Sequence, residues 1–153
     1  MRATLVCVGR LTREYQAVWR HYENLLRPYL SVDLLEAPET ALSLGIDQVR
    51  AKEGIALLNL LRRRAYTVAV DGGGHEYSSE DWSAFLADKK VHGQSHFQFV
   101  LGGAFGLDPS VLAAAHAHWS LSALTFPHQM ARCIVLEQLY RALRIERGEP
   151  YHH

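Results

Sequence analysis

Short apolar runs alternate with longer amphipathic stretches along the whole chain. The short runs are typical of strands, and the longer stretches repeat apolar residues every three or four positions, as helices do. We predict strands at residues 4–8, 32–36, 66–71, 97–101 and 120–125. We predict helices at residues 13–30, 47–63, 80–91, 109–116 and 128–146. This alternation indicates an α/β fold in which a mainly parallel sheet is flanked by helices.

Polar residues mark several of the predicted helix ends. Ser79 precedes two acidic residues, and Asp108-Pro109 combines an N-cap residue with a proline at the first helical position. The last helix has a broad apolar face formed by Met130, Ile134, Leu136, Leu139, Tyr140 and Leu143. Two interpretations of this face stay open: packing in the core of one chain, or partial packing against a second subunit.

Three predicted loops are rich in glycine or small residues. Residues 70–75 and 101–107 each place glycines after an apolar strand, and residues 121–128 combine Ser122 and Thr125 with a closing Phe126-Pro127. Glycines after a strand expose main-chain N–H and C=O groups at its carboxyl end, where α/β proteins bind small ligands. The third loop suits adenine and methionine moieties. The glycine loops are equally compatible with simple turns. His128 is either a cap or packing residue at the start of a helix or a proton carrier.

Composition narrows the choice of ligand and compartment. The 153 residues carry 16 basic and 16 acidic side chains, so RNA binding would need a local patch or two copies of the chain. No apolar run approaches the roughly 20 residues of a membrane span. Cys7 and Cys133 lie inside predicted elements, which favours buried reduced thiols and a cytoplasmic protein.

Several common sites are not indicated by the sequence. There is no Walker A loop and no dinucleotide-binding GxGxxG motif, which makes ATP and NAD poor candidates. The nine histidines are not spaced with carboxylates or thiolates as a zinc site requires, so we expect no metal. The run Arg62-Arg63-Arg64 is either a solvated helix end or a phosphate contact.

With these residues in view, the chain resembles the ribosomal large-subunit methyltransferase H family of SPOUT methyltransferases. The resemblance covers essentially the whole chain and is densest near its carboxyl end. The matching residues are Leu5-Val6-Cys7-Val8-Gly9-Arg10-Leu11, Lys52-Glu53-Gly54, Gly102-Gly103 with Gly106-Leu107, Leu121-Ser122, Thr125-Phe126-Pro127-His128, Arg132, Glu137-Gln138, Tyr140-Arg141-Ala142, Gly148-Glu149 and Tyr151-His152. The chain departs from the family pattern at Ala104-Phe105 and at His75.

The resemblance implies one SPOUT domain over residues 1–153 with a deep trefoil knot near its carboxyl end, an exception to the general absence of knots. It implies a homodimer that uses S-adenosyl-L-methionine to methylate N3 of a pseudouridine in 23S rRNA, within the large subunit or the whole ribosome. The implied cofactor-binding residues are Val70, Gly102, Leu121, Ser122, Ala123, Leu124, Thr125 and Phe126.

The same resemblance suggests residues for catalysis and RNA binding. Arg141 is the leading candidate to stabilise a developing anion or to position a phosphate, and Tyr151 and His152 to hold the base from the neighbouring subunit. Arg132, Arg141 and His128 are the candidate RNA-binding residues. Two other functions stay open: methylation of a different RNA, and a non-catalytic module that binds RNA or ribosomes.

Overall fold

The computed structural model describes residues 1–151. Its strands are β1 (Arg2–Val8), β2 (Ser31–Ala37), β3 (Tyr66–Glu76), β4 (His96–Leu101) and β5 (Ala117–Ser120). Its α-helices are α1 (Arg13–Leu26), α2 (Ile46–Leu60), α3 (Ser79–Val91), α4 (Pro109–Ala114) and α5 (His128–Glu146), and a short 3₁₀ turn covers Leu42–Leu44. All four strand pairings are parallel, in the order β2-β1-β4-β3-β5. The predicted α/β fold is therefore confirmed.

Helices cover both faces of the sheet, and the period-two alternation of the strands separates two apolar clusters. On one face, Leu5 and Phe99 pack with α1, α3 and α5; on the other, Val6 and Val100 pack with α2 and α4. Trp82 of α3 stacks on Trp119 of β5 in the first cluster, with 3.8 Å between ring centroids. This stack fastens the last strand to the helix layer.

Most predicted boundaries lie within three residues of those observed, and three elements differ more. Helix α1 ends at Leu26, four residues early. Strand β3 continues through the glycines to Glu76, with a register shift between Val70 and His75 where it pairs with β5. The last strand covers Ala117–Ser120 and not residues 120–125, because β3 pairs with that earlier segment. A Cβ on Gly74 would lie 2.7 Å from the backbone nitrogen of Trp119, so glycine permits this close pairing.

The capping predictions are confirmed at one helix and shifted at another. Asp108 caps α4, since its carboxylate accepts a hydrogen bond from the Ser110 backbone N–H at 3.0 Å. The cap of α3 is Ser78 and not Ser79, with its hydroxyl accepting from the Asp81 N–H at 3.0 Å. Both cysteines are free and buried as predicted, and burial raises the pKa of the Cys7 thiol to about 12.

Candidate cofactor-binding site

A pocket of about 550 Å³ opens where β3, β4 and β5 end. Three segments line it: residues 70–72, residues 101–106 apart from Phe105, and residues 120–128, with Ala131 of α5 beside them. Parallel strands all end at one edge of the sheet, and this edge is where α/β folds hold ligands. The structure thus brings together all eight residues predicted to bind a cofactor: Val70, Gly102, Leu121, Ser122, Ala123, Leu124, Thr125 and Phe126.

One wall of the pocket is a tight turn at residues 102–106, which we name the glycine loop. Gly103 and Gly106 form an isolated antiparallel bridge, and Gly106 has a φ of 79°, a conformation that favours glycine. A Cβ on Gly102 would lie 2.6 Å from the carbonyl oxygen of Gly106. The turn therefore closes only without a side chain at Gly102, and its main chain forms the pocket surface.

Helix α2 braces the glycine loop from behind. The Nε of Arg50 donates to the carbonyl oxygen of Phe105 at 2.6 Å. The carboxyl group of Glu53 is so close to Gly103 that a Cβ there would lie 3.0 Å from its Oε1. Oε2 of Glu53 accepts from the Thr40 N–H at 3.3 Å. Glu53 therefore links the glycine loop to the segment that precedes α2.

Glu53 is a buried acid, with only 4% of its surface exposed. Burial raises the pKa of its carboxyl group, and the charge of Glu39 adds to this effect while the Thr40 N–H opposes it. Its Oε1 is buried and has no hydrogen-bond partner among the described residues. The sequence analysis noted Lys52-Glu53-Gly54 only as a family match; an acid between small and apolar helix residues was the available sign of this role.

The other wall is formed by residues 121–127, which we name the hydroxyl loop. The Ser122 hydroxyl accepts from the Leu124 N–H at 3.0 Å, and the Ser120 hydroxyl donates to the Ser122 carbonyl at 3.1 Å. Within the described chain, the hydrogen bonds of residues 121–126 stay inside the segment 120–124. Leu124 is 71% exposed at the tip. Among residues 1–151, no side chain of a neighbouring helix hydrogen-bonds to this wall, whereas Arg50 of α2 does so at the glycine loop.

His128 begins α5 and lies at the edge of the pocket. Partial burial lowers the pKa of its imidazole, and the charge of Arg132 lowers it further, while Glu39 opposes both. The ring is therefore neutral at pH 7 and can donate one hydrogen bond and accept another. Its role as an RNA contact stays a prediction.

Arg132 has a different environment from the one expected. Only 1% of it is exposed, and its Nη2 donates to the carbonyl oxygens of Val8 and Gly9 at 2.5 and 2.9 Å. Its Nη1 pairs with the Glu36 carboxylate at 3.1 Å. These contacts occupy the guanidinium group and fasten α5 to the carboxyl ends of β1 and β2. RNA binding by Arg132 stays a prediction.

Arg141 and Tyr151 form a cluster near the other end of α5. Arg141 donates to the Glu137 carboxylate at 2.8 Å, and its guanidinium carbon is 4.7 Å from the centre of the Tyr151 ring. The Tyr151 hydroxyl donates to the same carboxylate oxygen at 3.3 Å. Arg141 follows Ala131 by ten residues, which corresponds to about 15 Å along a helix. The two predicted catalytic residues are thus away from the pocket of their own chain.

Three further expectations concern His152, a metal site and a membrane span. His152, the third candidate catalytic residue, lies outside the described residues. In residues 1–151, no group of three or more His, Cys, Asp or Glu side chains is arranged to hold a metal ion. Across the same residues, no helix is both long and apolar enough to cross a membrane.

The sequence of this chain is similar to those of known proteins over its whole length. The sequence profile described as "Predicted SPOUT methyltransferase" matches residues 1–152. The chain belongs to the SPOUT methyltransferase family. Two relatives are each named "Ribosomal RNA large subunit methyltransferase H": that of Symbiobacterium thermophilum is 42% identical over 160 residues, and that of Clostridium acetobutylicum 40% identical over 158. Both alignments cover 99% of each chain. The family resemblance stated from the sequence is therefore confirmed.

A solved structure also shares the fold of this SPOUT methyltransferase. It is described as a probable methylase family protein from Haemophilus influenzae, with a TM-score of 0.54 and 13% sequence identity. The match covers 99% of this chain and 70% of the other. At this identity the similarity supports the fold alone.

Proposed function

We propose that this chain is an S-adenosyl-L-methionine-dependent methyltransferase that modifies N3 of a pseudouridine in 23S rRNA. The observation that carries the proposal is the pocket at the ends of β3, β4 and β5, where three separate loops meet. The names of the relatives, which match over nearly their full length, give the class of RNA. A different RNA remains the alternative substrate.

The pocket suits a nucleoside that carries a short charged chain. Its volume of about 550 Å³ is that of a small-molecule site, and it combines the exposed main chain of the glycine loop with apolar Leu101, Leu121 and Phe126. Asp71 adds one carboxylate at the rim. We propose that Val70, Gly102 and residues 121–126 hold the cofactor, chiefly through main-chain groups. The proposed trefoil knot is compatible with the close approach of these loops.

The bound cofactor would supply an electrophilic methyl group on its sulfonium. The task of the chain is then to align the base and to exclude water from the reaction. N3 of the base is weakly acidic and must lose its proton, so a cation or a hydrogen-bond donor beside the developing anion would help. We propose Arg141 for this role, with Tyr151 and His152 holding the base.

The position of Arg141 supports a homodimer. At about 15 Å along α5 from Ala131, it reaches a pocket most simply on a second copy of the chain. Two apolar side chains on these helices are also exposed: Val18 on α1 is 41% exposed, and Met130 in the first turn of α5 is 38% exposed. We propose that the copies pack through these helices, so that each pocket is completed by the other subunit.

Methyl transfer tests the proposed activity directly. Radiolabelled cofactor is incubated with the protein and whole ribosomes, isolated large subunits or naked 23S rRNA, and the modified nucleotide is mapped. We expect label at N3 of a pseudouridine in 23S rRNA. Label found only in another RNA would identify that RNA as the substrate instead. Cofactor binding by calorimetry without any transfer to RNA would favour the non-catalytic module.

Substitution of Arg141 tests the composite site. We expect Arg141→Ala to lower kcat by roughly 100-fold, the effect of losing one donor to a developing anion. The cofactor dissociation constant should stay within a factor of two, since Arg141 is outside the pocket of its own chain. Inactive Arg141→Ala mixed with a pocket-blocked Gly102→Ala chain should regain activity in heterodimers. Equal loss of cofactor affinity and turnover, or no regain, would contradict a shared site.

A further inference from the structure

The basic turn Arg62-Arg63-Arg64 lies at the opposite edge of the sheet from the pocket. It connects α2 to β3, and all three arginines are exposed. No ion pair or hydrogen bond of their guanidinium groups is found among the described residues. From Ala65 to Val70 the chain advances five residues toward the pocket, or about 17 Å. These cations are therefore unpaired and well separated from the cofactor-binding residues.

The main chain of this turn is fixed from inside the sheet. Gln98 of β4 is 1% exposed, and its side-chain amide accepts from the Arg62 N–H at 2.9 Å and donates to the Arg62 carbonyl at 3.0 Å. The same amide donates to the Thr67 hydroxyl at 2.7 Å. A buried polar side chain thus holds an exposed basic turn in one conformation. Such preorganisation lowers the entropy lost when a partner binds.

More positive charge gathers at the same edge. Arg2 lies opposite His96 in the pairing of β1 with β4, and burial together with the charges of Arg2 and Arg62 lowers the pKa of His96. The carboxylate of Asp33 pairs with Arg2 at 3.7 Å, and its charge raises the pKa of His96. Because Arg2 and Asp33 offset each other, the excess positive charge described here is that of the basic turn. The turn is a local concentration of positive charge in a chain with no net charge.

The pocket has the opposite character. Among the described residues that line it, Asp71 is the only one with a formal charge at pH 7. Arg132 and Arg141, the two arginines of α5 considered for RNA binding, are paired with Glu36 and Glu137. An enzyme that acts on RNA needs cations for the phosphate backbone, because phosphate contacts supply most of the sequence-independent affinity. Within residues 1–151, the basic turn offers three adjacent arginines with unpaired side chains on a main chain that Gln98 holds in place.

We propose that Arg62, Arg63 and Arg64 bind the phosphate backbone of the substrate RNA, on a segment separate from the nucleotide that enters a pocket. The inference rests on the proposed rRNA methyltransferase function. Phosphate contacts of this kind set the position and orientation of a protein on RNA and carry no sequence information. The basic turn would therefore position the enzyme while the pocket selects the base.

The salt dependence of RNA binding tests this proposal. Purified bacterial ribosomes are titrated with the full chain at several KCl concentrations and constant Mg²⁺, and bound protein is measured by co-sedimentation. For Arg63→Ala/Arg64→Ala, we expect the slope of log K against log salt to decrease in magnitude by about 1.4–1.8, the value for two lost phosphate contacts. Affinity at 0.1 M KCl should fall roughly 30-fold.

Two control variants separate a local contact from overall charge. Arg20→Ala/Lys52→Ala removes two positive charges at exposed helix positions and should leave the slope unchanged. Arg63→Lys/Arg64→Lys keeps the charges and should retain most of the slope. If the double alanine variant keeps the wild-type slope, or if the Arg20→Ala/Lys52→Ala control loses as much, the proposal is wrong.

Turnover separates failure of this proposal from failure of the proposed function. Arg63→Ala/Arg64→Ala should raise KM for ribosomes and leave both kcat and cofactor affinity near wild type, because the contact is made equally in ground and transition states. If the wild-type protein methylates ribosomes but the variant has an unchanged KM, only the phosphate contact fails. If the wild-type protein transfers no methyl group to any RNA, the proposed function fails first.

Discussion

The glycine loop and the hydroxyl loop line the same pocket but are anchored differently. Behind the glycine loop, Arg50 and Glu53 of α2 contact Phe105 and Gly103. In the hydroxyl loop, the hydrogen bonds found for residues 121–126 stay within the segment 120–124, and the tip at Leu124 is exposed. From this difference we predict that the glycine loop keeps its conformation when a ligand binds and that the hydroxyl loop changes more. Substitutions in the two walls should therefore have different consequences for stability and for binding.

The largest effect is expected at Gly102. In Gly102→Ala, the new methyl group would overlap the main chain of Gly106, so the turn must shift. We expect a loss of about 2–3 kcal/mol in the free energy of unfolding and roughly 100-fold weaker binding of S-adenosylhomocysteine. Chemical denaturation and calorimetry measure the two quantities.

Gly72→Ala is the matched control for this substitution. Gly72 also lines the pocket, but a Cβ there would meet nothing within 4 Å. Its stability should change by less than about 0.5 kcal/mol. Similar losses in both variants would mean that the close packing of the glycine loop is not what holds this wall.

Removal of the Glu53 side chain behind the glycine loop should have the next largest effect. Glu53→Ala removes the carboxyl group that lies between Gly103 and Thr40 and connects their segments. We expect roughly tenfold weaker binding of S-adenosylhomocysteine, the product formed from the cofactor. Glu53→Gln keeps the shape and a hydrogen-bond acceptor for the Thr40 N–H, and should bind nearly as well as wild type. Calorimetry at a temperature where all variants are folded gives the dissociation constants.

Leu57→Ala provides a control on the same helix. Leu57 is buried in the apolar cluster under α2, so its truncation should cost about 2–4 kcal/mol of stability without contacting the glycine loop. If Leu57→Ala weakens ligand binding as much as Glu53→Ala does, then general destabilisation of α2 explains the weaker binding, and the contact of Glu53 with the glycine loop does not.

A smaller effect is expected in the hydroxyl loop. Ser122→Ala removes the acceptor for the Leu124 N–H, which contributes about 1 kcal/mol at most in an exposed loop. We expect roughly threefold weaker ligand binding and no measurable change in Tm, since this wall adds little to the folded core. A Tm decrease as large as that of Gly102→Ala would show that the two walls are equally structural.

The smallest effect concerns pH. The pKa of His128 lies below its ordinary value of 6.5 in the folded chain, so the unfolded chain takes up this proton first as pH falls. The contribution of His128 to the free energy of unfolding is therefore complete above pH 6.5 and declines as the pH falls toward the pKa of the folded chain. Between pH 7 and 5, the wild-type protein should lose stability relative to the His128→Gln variant, which retains Arg132. A constant difference in denaturation midpoint across this interval would contradict the lowered pKa.

Much of the pocket could be predicted from the sequence because its wall residues depend on local properties. Glycines after strands and a proline before a helix constrain the backbone whatever the distant contacts are. The position of β5 could not be read in the same way: residues 120–125 are as apolar as a strand, and only pairing with the kinked end of β3 selects Ala117–Ser120. The extension of β3 across three glycines has the same origin.

The environment of charged side chains was the least predictable feature. Arg132 was expected on an RNA-binding surface, yet it is enclosed by the ends of β1 and β2, which lie far from it in sequence. Glu53 and Gln98 are polar residues buried by contacts with segments at least 13 positions away. Such partners depend on the tertiary arrangement, so helix and strand periodicity could not identify them.

The stacked pair of Trp82 and Trp119 gives the protein an intrinsic optical probe. Trp119 is adjacent in sequence to Ser120, where the pocket wall begins, and both indoles are almost fully buried. Any shift of the backbone at Ser120 changes the overlap of the two rings and hence their ultraviolet emission. Ligand entry can therefore be followed in stopped flow without a dye, with Trp19 on α1 as a constant background.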